Sequence, residues 1–424
     1  MMIRPRHALI ALAFCLAAGG PASAETDLFS RRAFEGVVDL RTAVADGPPS
    51  FLDGGAGRGR YGGDTTGGAR IRPSLAEAAL VWKPQLTWAV GGVLDVEYQD
   101  GQEHAADVSE AYLTFRPTPS RGARYSARLG YFYPPISLEH EGAAWSVANS
   151  ITPSAVNSWV GEEVKVVGAE VKVTRALGGQ EFSATGALFG YNDTAGTLLS
   201  FRGWGLHDLK ATAAGDLRLP PLDPYMAQRQ PQFTSPNLEL DRRIGWYARL
   251  DWRPPGPAAF NAFHYDNNGD MIAANADLQW AWATRFWNFG ASLDLDEDTR
   301  LLSQVMTGEA MMGYPNGRSV WINLGFTAAY LLATHTDGRS AFTGRVDYFE
   351  TRDRNFRPAT DPAEDDRGEQ GWALTGAYRY QVNPHAQLRL EALHVKGDRP
   401  SLAEMALKPR QSRTLLQSSL RLSF

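Results

Sequence analysis

Cysteine is nearly missing from this chain: of 424 residues only Cys15 is one, and it lies in an apolar run near the start. Beyond that run there can be no disulfide, no thiol nucleophile and no cysteine metal site. Nowhere do about 20 apolar residues follow one another, so no segment offers a membrane-spanning helix. Lysine is scarce, with six in the chain, and the eight histidines are scattered without a pair at metal-ligand spacing. No metal or cofactor is expected. The formal charge of -5 is spread along the chain rather than gathered in a basic patch. A nucleic-acid partner is therefore not expected either.

What is present begins with an export signal. Arg4 and Arg6 precede an apolar stretch over 8–18, and Ala22-Ser23-Ala24 has the small-x-small form of a cleavage site. Residues 1–24 read as a signal peptide and 25–424 as one domain. Without the signal the chain carries 40 basic and 47 acidic residues, a charge of -7.

At the other end, 413–424 alternates cleanly. Leu416, Leu420, Leu422 and Phe424 share one face with Thr414 and Ser418, while Gln417, Ser419, Arg421 and Ser423 share the other with Leu415. A two-residue period puts these sets on opposite sides of a strand. An apolar face toward lipid, a polar face toward a lumen and a terminal Phe describe the closing strand of a transmembrane barrel.

Fifteen further strands are predicted upstream: 34–45, 70–82, 86–99, 108–115, 123–133, 164–175, 181–190, 244–252, 258–266, 284–295, 300–308, 319–333, 341–351, 370–380 and 387–396. The connections alternate between short turns such as Lys83-Pro84-Gln85 and long Gly- or Pro-rich loops. Sixteen is an even number, and both chain ends fall on the short-turn side. The fold expected is an all-β transmembrane antiparallel barrel with short periplasmic turns and long extracellular loops. In the longest gap, 191–243, five prolines argue against a central strand, though a short one near 201–204 stays open. Trp82 and Trp252 beside short turns, with Tyr98, Tyr131 and Tyr133 beside long loops, stand where interfacial girdles belong.

Strand parity assigns Arg124, Arg128, Lys172, Arg249, Arg345, Arg379, Arg389 and Arg421 to the lumen, with Asp95, Glu97, Glu110, Glu170, Asp251, Asp347 and Glu391. Rings of charge select among permeants. The plainer reading is that these charges pair across neighbouring strands, since Arg249 with Asp251 or Arg389 with Glu391 are taken not to pair along one strand. The third long loop, 134–163, is the expected constriction. It carries Glu139, His140, Glu141, Glu162 and Glu163, with Trp145 and Trp159, and is expected to fold into the lumen opposite Arg124 and Arg128.

The run Arg128-Leu129-Gly130-Tyr131-Phe132-Tyr133-Pro134-Pro135-Ile136-Ser137-Leu138-Glu139 resembles the segment after the fifth strand in outer-membrane porins of the phosphate-selective O/P type, where a Gly-x-Phe run meets Pro and then Glu. That resemblance implies a 16-stranded, trimeric bacterial outer-membrane porin, seated among lipid and lipopolysaccharide, that passes small polar solutes or anions. It does not carry phosphate with it. Anion selectivity in that family rests on an arginine ladder and a lysine cluster, and here only Lys172 among the lysines falls plainly on a lumen face.

The alternative is a barrel hydrolase, a lipase or protease, using His140 or His207 with nearby acids. A TonB-type transporter would need a plug domain, for which about ten residues between signal and first strand leave no room. Asp266-Asn267-Asn268-Gly269-Asp270 lacks the glycine placement and final Glu of a calcium loop. Asp361, Glu364, Asp365 and Asp366 read as an acidic outer loop, and the glycines over 54–63 lack the strand-to-helix context of a phosphate cradle.

Overall fold

A computed structural model describes residues 28–120, 122–315, 317, 320–355 and 366–424. The signal segment, and Asp361, Glu364 and Asp365 of the acidic loop, lie outside the described residues. Sixteen strands form the barrel: β1 Phe34–Ala45, β2 Arg70–Trp82, β3 Val90–Gln99, β4 Asp107–Phe115, β5 Ala123–Phe132, β6 Val166–Leu177, β7 Gln180–Gly190, β8 Gly245–Arg253, β9 Ala258–Asp266, β10 Ala283–Asp294, β11 Thr299–Met312, β12 Ile322–Asp337, β13 Ser340–Asp353, β14 Glu369–Asn383, β15 Ala386–Asp398 and β16 Arg410–Ser423. Each pairs antiparallel with its neighbours in sequence, and β1 pairs with β16, so the sheet closes and has no free edge along the ring order. At the seam the Gly36 and Phe424 backbones exchange hydrogen bonds of 3.1 and 3.2 Å. The Phe424 ring then lies over Gly36, where any side chain would collide with it.

One expected strand changes its start, and one open question is answered. The third begins at Val90, because the Thr87 hydroxyl accepts the amides of Ala89 and Val90 while the Leu86 and Thr87 amides both turn to the Val90 carbonyl. Residues 86–89 are thus a turn. Near 201–204 there is no strand among the described residues; Thr197–Phe201 is a short helix, α2, and the loop's only paired segments are Leu217–Arg218 with Phe233–Thr234.

Outward positions are apolar along most strands, as with Leu129, Val171, Leu188, Leu250, Leu374 and Leu416, all about half exposed or more. A row of aromatics, Trp246, His264 and Trp287, rings the outer surface toward the long-loop end. Trp82, stacked on Phe29 and Phe34, and Trp252, beside Phe260, mark the short-turn end. Tyr131 and Tyr133 do not join a girdle; both are buried against the Lys165 ammonium. A cation that carries its charge into the interior is steadied by aromatic faces, which draws the two rings in.

Inside, one arc of the wall departs from the polar lumen that alternation suggests. Phe189, Tyr247, Phe263, Tyr265, Phe286, Met306 and Phe326 point inward from β7 to β12 and are buried. They pack against helix α1, Ala155–Glu163, and against the loop containing α2. Trp159 of α1 sits edge-on to Phe286 and Phe326 at 5.3 and 5.2 Å and to Trp204 at 6.0 Å. Such edge-to-face pairs add about 0.5–1.5 kcal/mol each to the area they bury. The barrel therefore holds a hydrophobic core on one side and charged wall on the other.

The lipid face makes a direct prediction. Leu250→Arg, near the middle of β8, should cost about 2–4 kcal/mol of folding stability, read by urea titration of folding into lipid vesicles. No loss would mean that this face does not meet lipid.

Candidate functional site

Loop 3, between β5 and β6, and loop 4, between β7 and β8, meet inside the barrel, and the site is built from their junction. Loop 3 starts where Arg128 pairs with Glu170 at 2.8 Å and donates to the Tyr133 carbonyl, so the expected cross-lumen partner instead anchors the loop's root. β5 feeds directly into the loop, which puts Arg128 below it. Arg124 is near the short-turn rim, largely exposed and paired with Glu181. Lys172 faces inward on β6, two residues from Glu170, and is half-buried.

Helix α1 is capped by Ser154, whose hydroxyl accepts the Asn157 amide at 3.3 Å. Two carboxylates gather at the same end: Glu139 accepts from the Ser154 amide and hydroxyl, and Asp347 accepts from the Ala155 amide at 3.0 Å. Negative charge at a helix N-terminus meets unpaired amides and the positive end of the dipole. Arg345 ties the arrangement to the wall, with Asp347 at 2.8 Å, Glu139 at 3.2 Å and the Thr152 and Pro153 carbonyls at 2.7 and 3.0 Å. Glu391 takes the Ile151 and Thr152 amides.

These contacts revise how the charges pair. Arg249 binds Asp251 on its own strand at 2.6 Å, as Arg345 binds Asp347 and Arg41 binds Asp39. Residues two apart on a strand share a face, and the long arginine stem reaches along it. Arg389 does not meet Glu391. It donates to Gln387 and, at 3.4 Å each, to the Val147 and Ser150 carbonyls of loop 3.

Glu162 and Glu163, at the C-terminal end of α1, are buried and face loop 4. Glu162 forms a two-pronged bond with Arg202, 2.6 Å in each arm, with His207 at 3.1 Å. Burial alone would raise the Glu162 carboxyl, but Arg202 and His207 outweigh it and bring its pKa to about 2. Glu163 accepts the Trp159 indole N–H at 2.6 Å and the Leu198 amide at 2.8 Å. There burial prevails and pushes the carboxyl up to about 7.

Farther along loop 3, Ala144 and Trp145 adopt left-handed backbone with φ of 53° and 48°. Two successive non-glycine residues there are strained and must be held by their surroundings. Trp145 is stacked between Tyr133 at 3.8 Å and His140 at 3.5 Å, and Lys210 of loop 4 donates to the Ala144 carbonyl at 2.6 Å. This tip faces β1, β2, β15 and β16 across a cleft of about 20 Å³ lined by Arg41, Glu77, Asp208, Lys210, Arg389 and Arg421. That volume holds about one water. Glu141 stands away from it, exposed and paired with Arg300 at 3.2 Å.

The two histidines considered for hydrolysis are engaged otherwise. The His207 Nδ1 accepts the Leu209 amide, which leaves the proton on Nε2 toward Glu162. The His140 Nδ1 meets the Ser137 hydroxyl at 2.8 Å, but that hydroxyl also accepts the Glu139 and His140 amides and closes a local turn. At 266–270 the Asn268 amide meets the Asp266 carboxylate and Asn267 holds the Trp282 carbonyl, an ordinary turn. Asp193, Glu239 and Asp241 bring carboxylate oxygens within 4.8 Å of one another on loop 4, where Glu239 accepts the Tyr191 and Arg242 amides, Asp193 the Leu240 amide, and Asp241 the Arg243 and Asp270 amides.

Sequence reasoning did not place loop 4 inside the barrel. Its signal was available: Leu198, Leu199, Phe201, Trp204, Leu206 and Leu209 are too many large apolar side chains for a solvated loop.

No family model matches the sequence, and no curated protein matches it. Solved structures do. The outer-membrane channel DcaP of Acinetobacter baumannii is 12% identical with a TM-score of 0.54, over 93% of this chain and 99% of that one. An anion-selective porin from Comamonas acidovorans is 12% identical with a TM-score of 0.51, over 92% and 98%. A loop-deletion mutant of OmpT, an outer membrane protein of Vibrio cholerae, is 10% identical with a TM-score of 0.50, over 92% and 99%. At such identity the likeness concerns the fold. The chain is a closed 16-strand antiparallel barrel of the bacterial outer-membrane kind.

The clamp at Glu162 yields a pH prediction. Its carboxyl lies below the ordinary 4.5 in the folded state, so its stabilisation is complete above about pH 4.5 and is lost as pH falls toward 2. Pepsin should leave loop 4 intact near pH 5 and cut it near pH 2. Glu162→Gln strands the buried Arg202 charge, at a cost of about 3–5 kcal/mol, and should make the loop cleavable at both. Equal cleavage of the two proteins at pH 5 would contradict the clamp.

Proposed function

We infer that this protein is an outer-membrane porin that lets small hydrophilic solutes diffuse through a constricted, water-filled passage, with a preference for anions. The observation that carries the preference is the state of Arg379 and Arg389. Both point inward, from β14 and β15, and among the described residues neither has a carboxylate at ion-pair distance. Arg389 is held by Gln387 and loop 3 carbonyls, and Arg379 donates to the Ala148 carbonyl at 3.4 Å. Most other inward arginines nearby are matched: Arg41 with Asp39 and Asp208, Arg345 with Asp347, and Arg421 with Glu77 at 2.9 Å. Carbonyl dipoles orient a guanidinium without cancelling its charge, so the two leave a positive field beside the cleft, which favours anions.

The resemblance to the phosphate-selective type supports phosphate as the first solute to try, but the residues that carry it fix the root of loop 3 rather than face the cleft. The same resemblance supports a homotrimer in lipid and lipopolysaccharide, testable by cross-linking in membranes. In this reading 25–424 is a single domain, with loop 3 as part of the constriction.

Planar-bilayer recording under a salt gradient tests the function. The wild type should conduct with a reversal potential on the anion side, and replacing both Arg379 and Arg389 with Gln should move it toward cations. Absence of any conducting unit would overturn the channel, and an unmoved potential in the double variant would overturn the assignment of its selectivity.

A further inference from the structure

Loop 3 accounts for one side of the cleft only. The other side is closed by Asp208 and Lys210, which loop 4 carries inward after Trp204 and Leu206 have anchored it in the core. Lys210 is buried, and its ammonium lies 3.0 Å from Glu77 and 2.6 Å from Glu97 while also holding the Ala144 carbonyl of the loop 3 tip. Asp208 lies two residues away, bonded to Arg41 at 2.7 Å and Arg60 at 3.0 Å. The loop thus sets a positive charge against one arc of wall and a negative charge against the next.

The arc under Lys210 is acidic. Glu77, Asp95, Glu97 and Glu110 point inward from β2, β3 and β4, and both carboxylate oxygens of Asp95 are buried without a hydrogen-bond partner among the described residues. Left to themselves these groups would attract cations, since a ring of carboxylates is what cation channels use. Arg41, on the arc under Asp208, is basic and adjoins Arg389 and Arg421 along the cleft. Burial disfavours the charged form of both loop residues, yet the neighbouring acids hold Lys210 above the ordinary lysine value, and Arg41 and Arg60 hold Asp208 well below the carboxylate range. Both therefore keep their charge at neutral pH.

We propose that loop 4 is the second half of the constriction and that Lys210 and Asp208 set the balance of its ion selectivity, in opposite directions. This rests on the channel reading above. Removing the Lys210 charge leaves Glu97 without its ammonium partner and turns the cleft toward cations. Removing the Asp208 charge leaves Arg60 without its carboxylate and weakens the hold on Arg41, which turns it toward anions.

The test is the reversal potential of the full-length protein in a planar bilayer under a tenfold potassium chloride gradient. Lys210→Gln should shift it toward the cation limit and Asp208→Asn toward the anion limit, each by a severalfold change in permeability ratio. Arg229→Gln, on the outer part of loop 4, should stay at the wild-type value. A strut without influence on permeation would leave all of these at the wild-type potential, and that result, or a shift of the same sign in both charge-removing variants, would overturn the proposal. If Lys210→Gln fails to assemble, as judged by heat-modifiable migration, Asp208→Asn decides alone: an anionward shift supports the proposal and no shift overturns it. A wild type that does not conduct removes the channel reading and this inference with it, whereas a conducting wild type with unmoved variants removes the inference alone.

Discussion

Glu162 and Arg202 meet inside the barrel with both side chains fully buried, and the arrangement of everything within the wall follows from that pair. A buried ion pair needs good geometry and further hydrogen bonds to offset the hydration each ion loses. His207 satisfies part of the Glu162 carboxylate, and the Arg202 guanidinium lies over the Phe51 ring at 4.8 Å. The pair joins the last turn of α1 to loop 4. With it in place, Trp159 and Trp204 come together against Phe286 and Phe326, and half the lumen becomes a core. Once that side is filled, solutes have only the charged side left.

The charged side is organised by what each strand contributes inward. Acids on β2 to β4 and arginines on β1 and β13 to β16 occupy adjacent arcs, and the cleft lies where the arcs meet. Glu77, Glu97 and Arg421 are matched across elements, and Arg41 and Arg345 pair with Asp39 and Asp347 on their own strands. Selectivity in such a wall comes from the charges left over, which makes Arg379 and Arg389 more informative than the paired groups around them.

The barrel itself was legible in the sequence because its signal is repeated. Alternation in 413–424, turns such as Lys83-Pro84-Gln85 and the parity of sixteen strands all report the same architecture, and all sixteen strands are found near their expected positions. Strand ends were less legible, since local capping by Thr87 decides where β3 begins. The interior was least legible. Parity places Arg249, Arg345, Arg389 and Arg421 on the inner face, but which of them stay unpaired depends on contacts with loop 3 carbonyls, and those follow from the path of the loop in space. In loop 4 the prolines spoke only against a central strand, and the inward path of the loop is carried instead by its leucines and Trp204.

The central claim is that loops 3 and 4 form one packed body inside the barrel. Hydrogen exchange of the folded protein in detergent or lipid tests it most directly. The amides of 155–165 and 197–211 should exchange as slowly as those of the neighbouring strands, because they are buried and many bond to one another or to wall side chains. Exchange of either segment at the rate of a solvated loop, with the strands still protected, would contradict it.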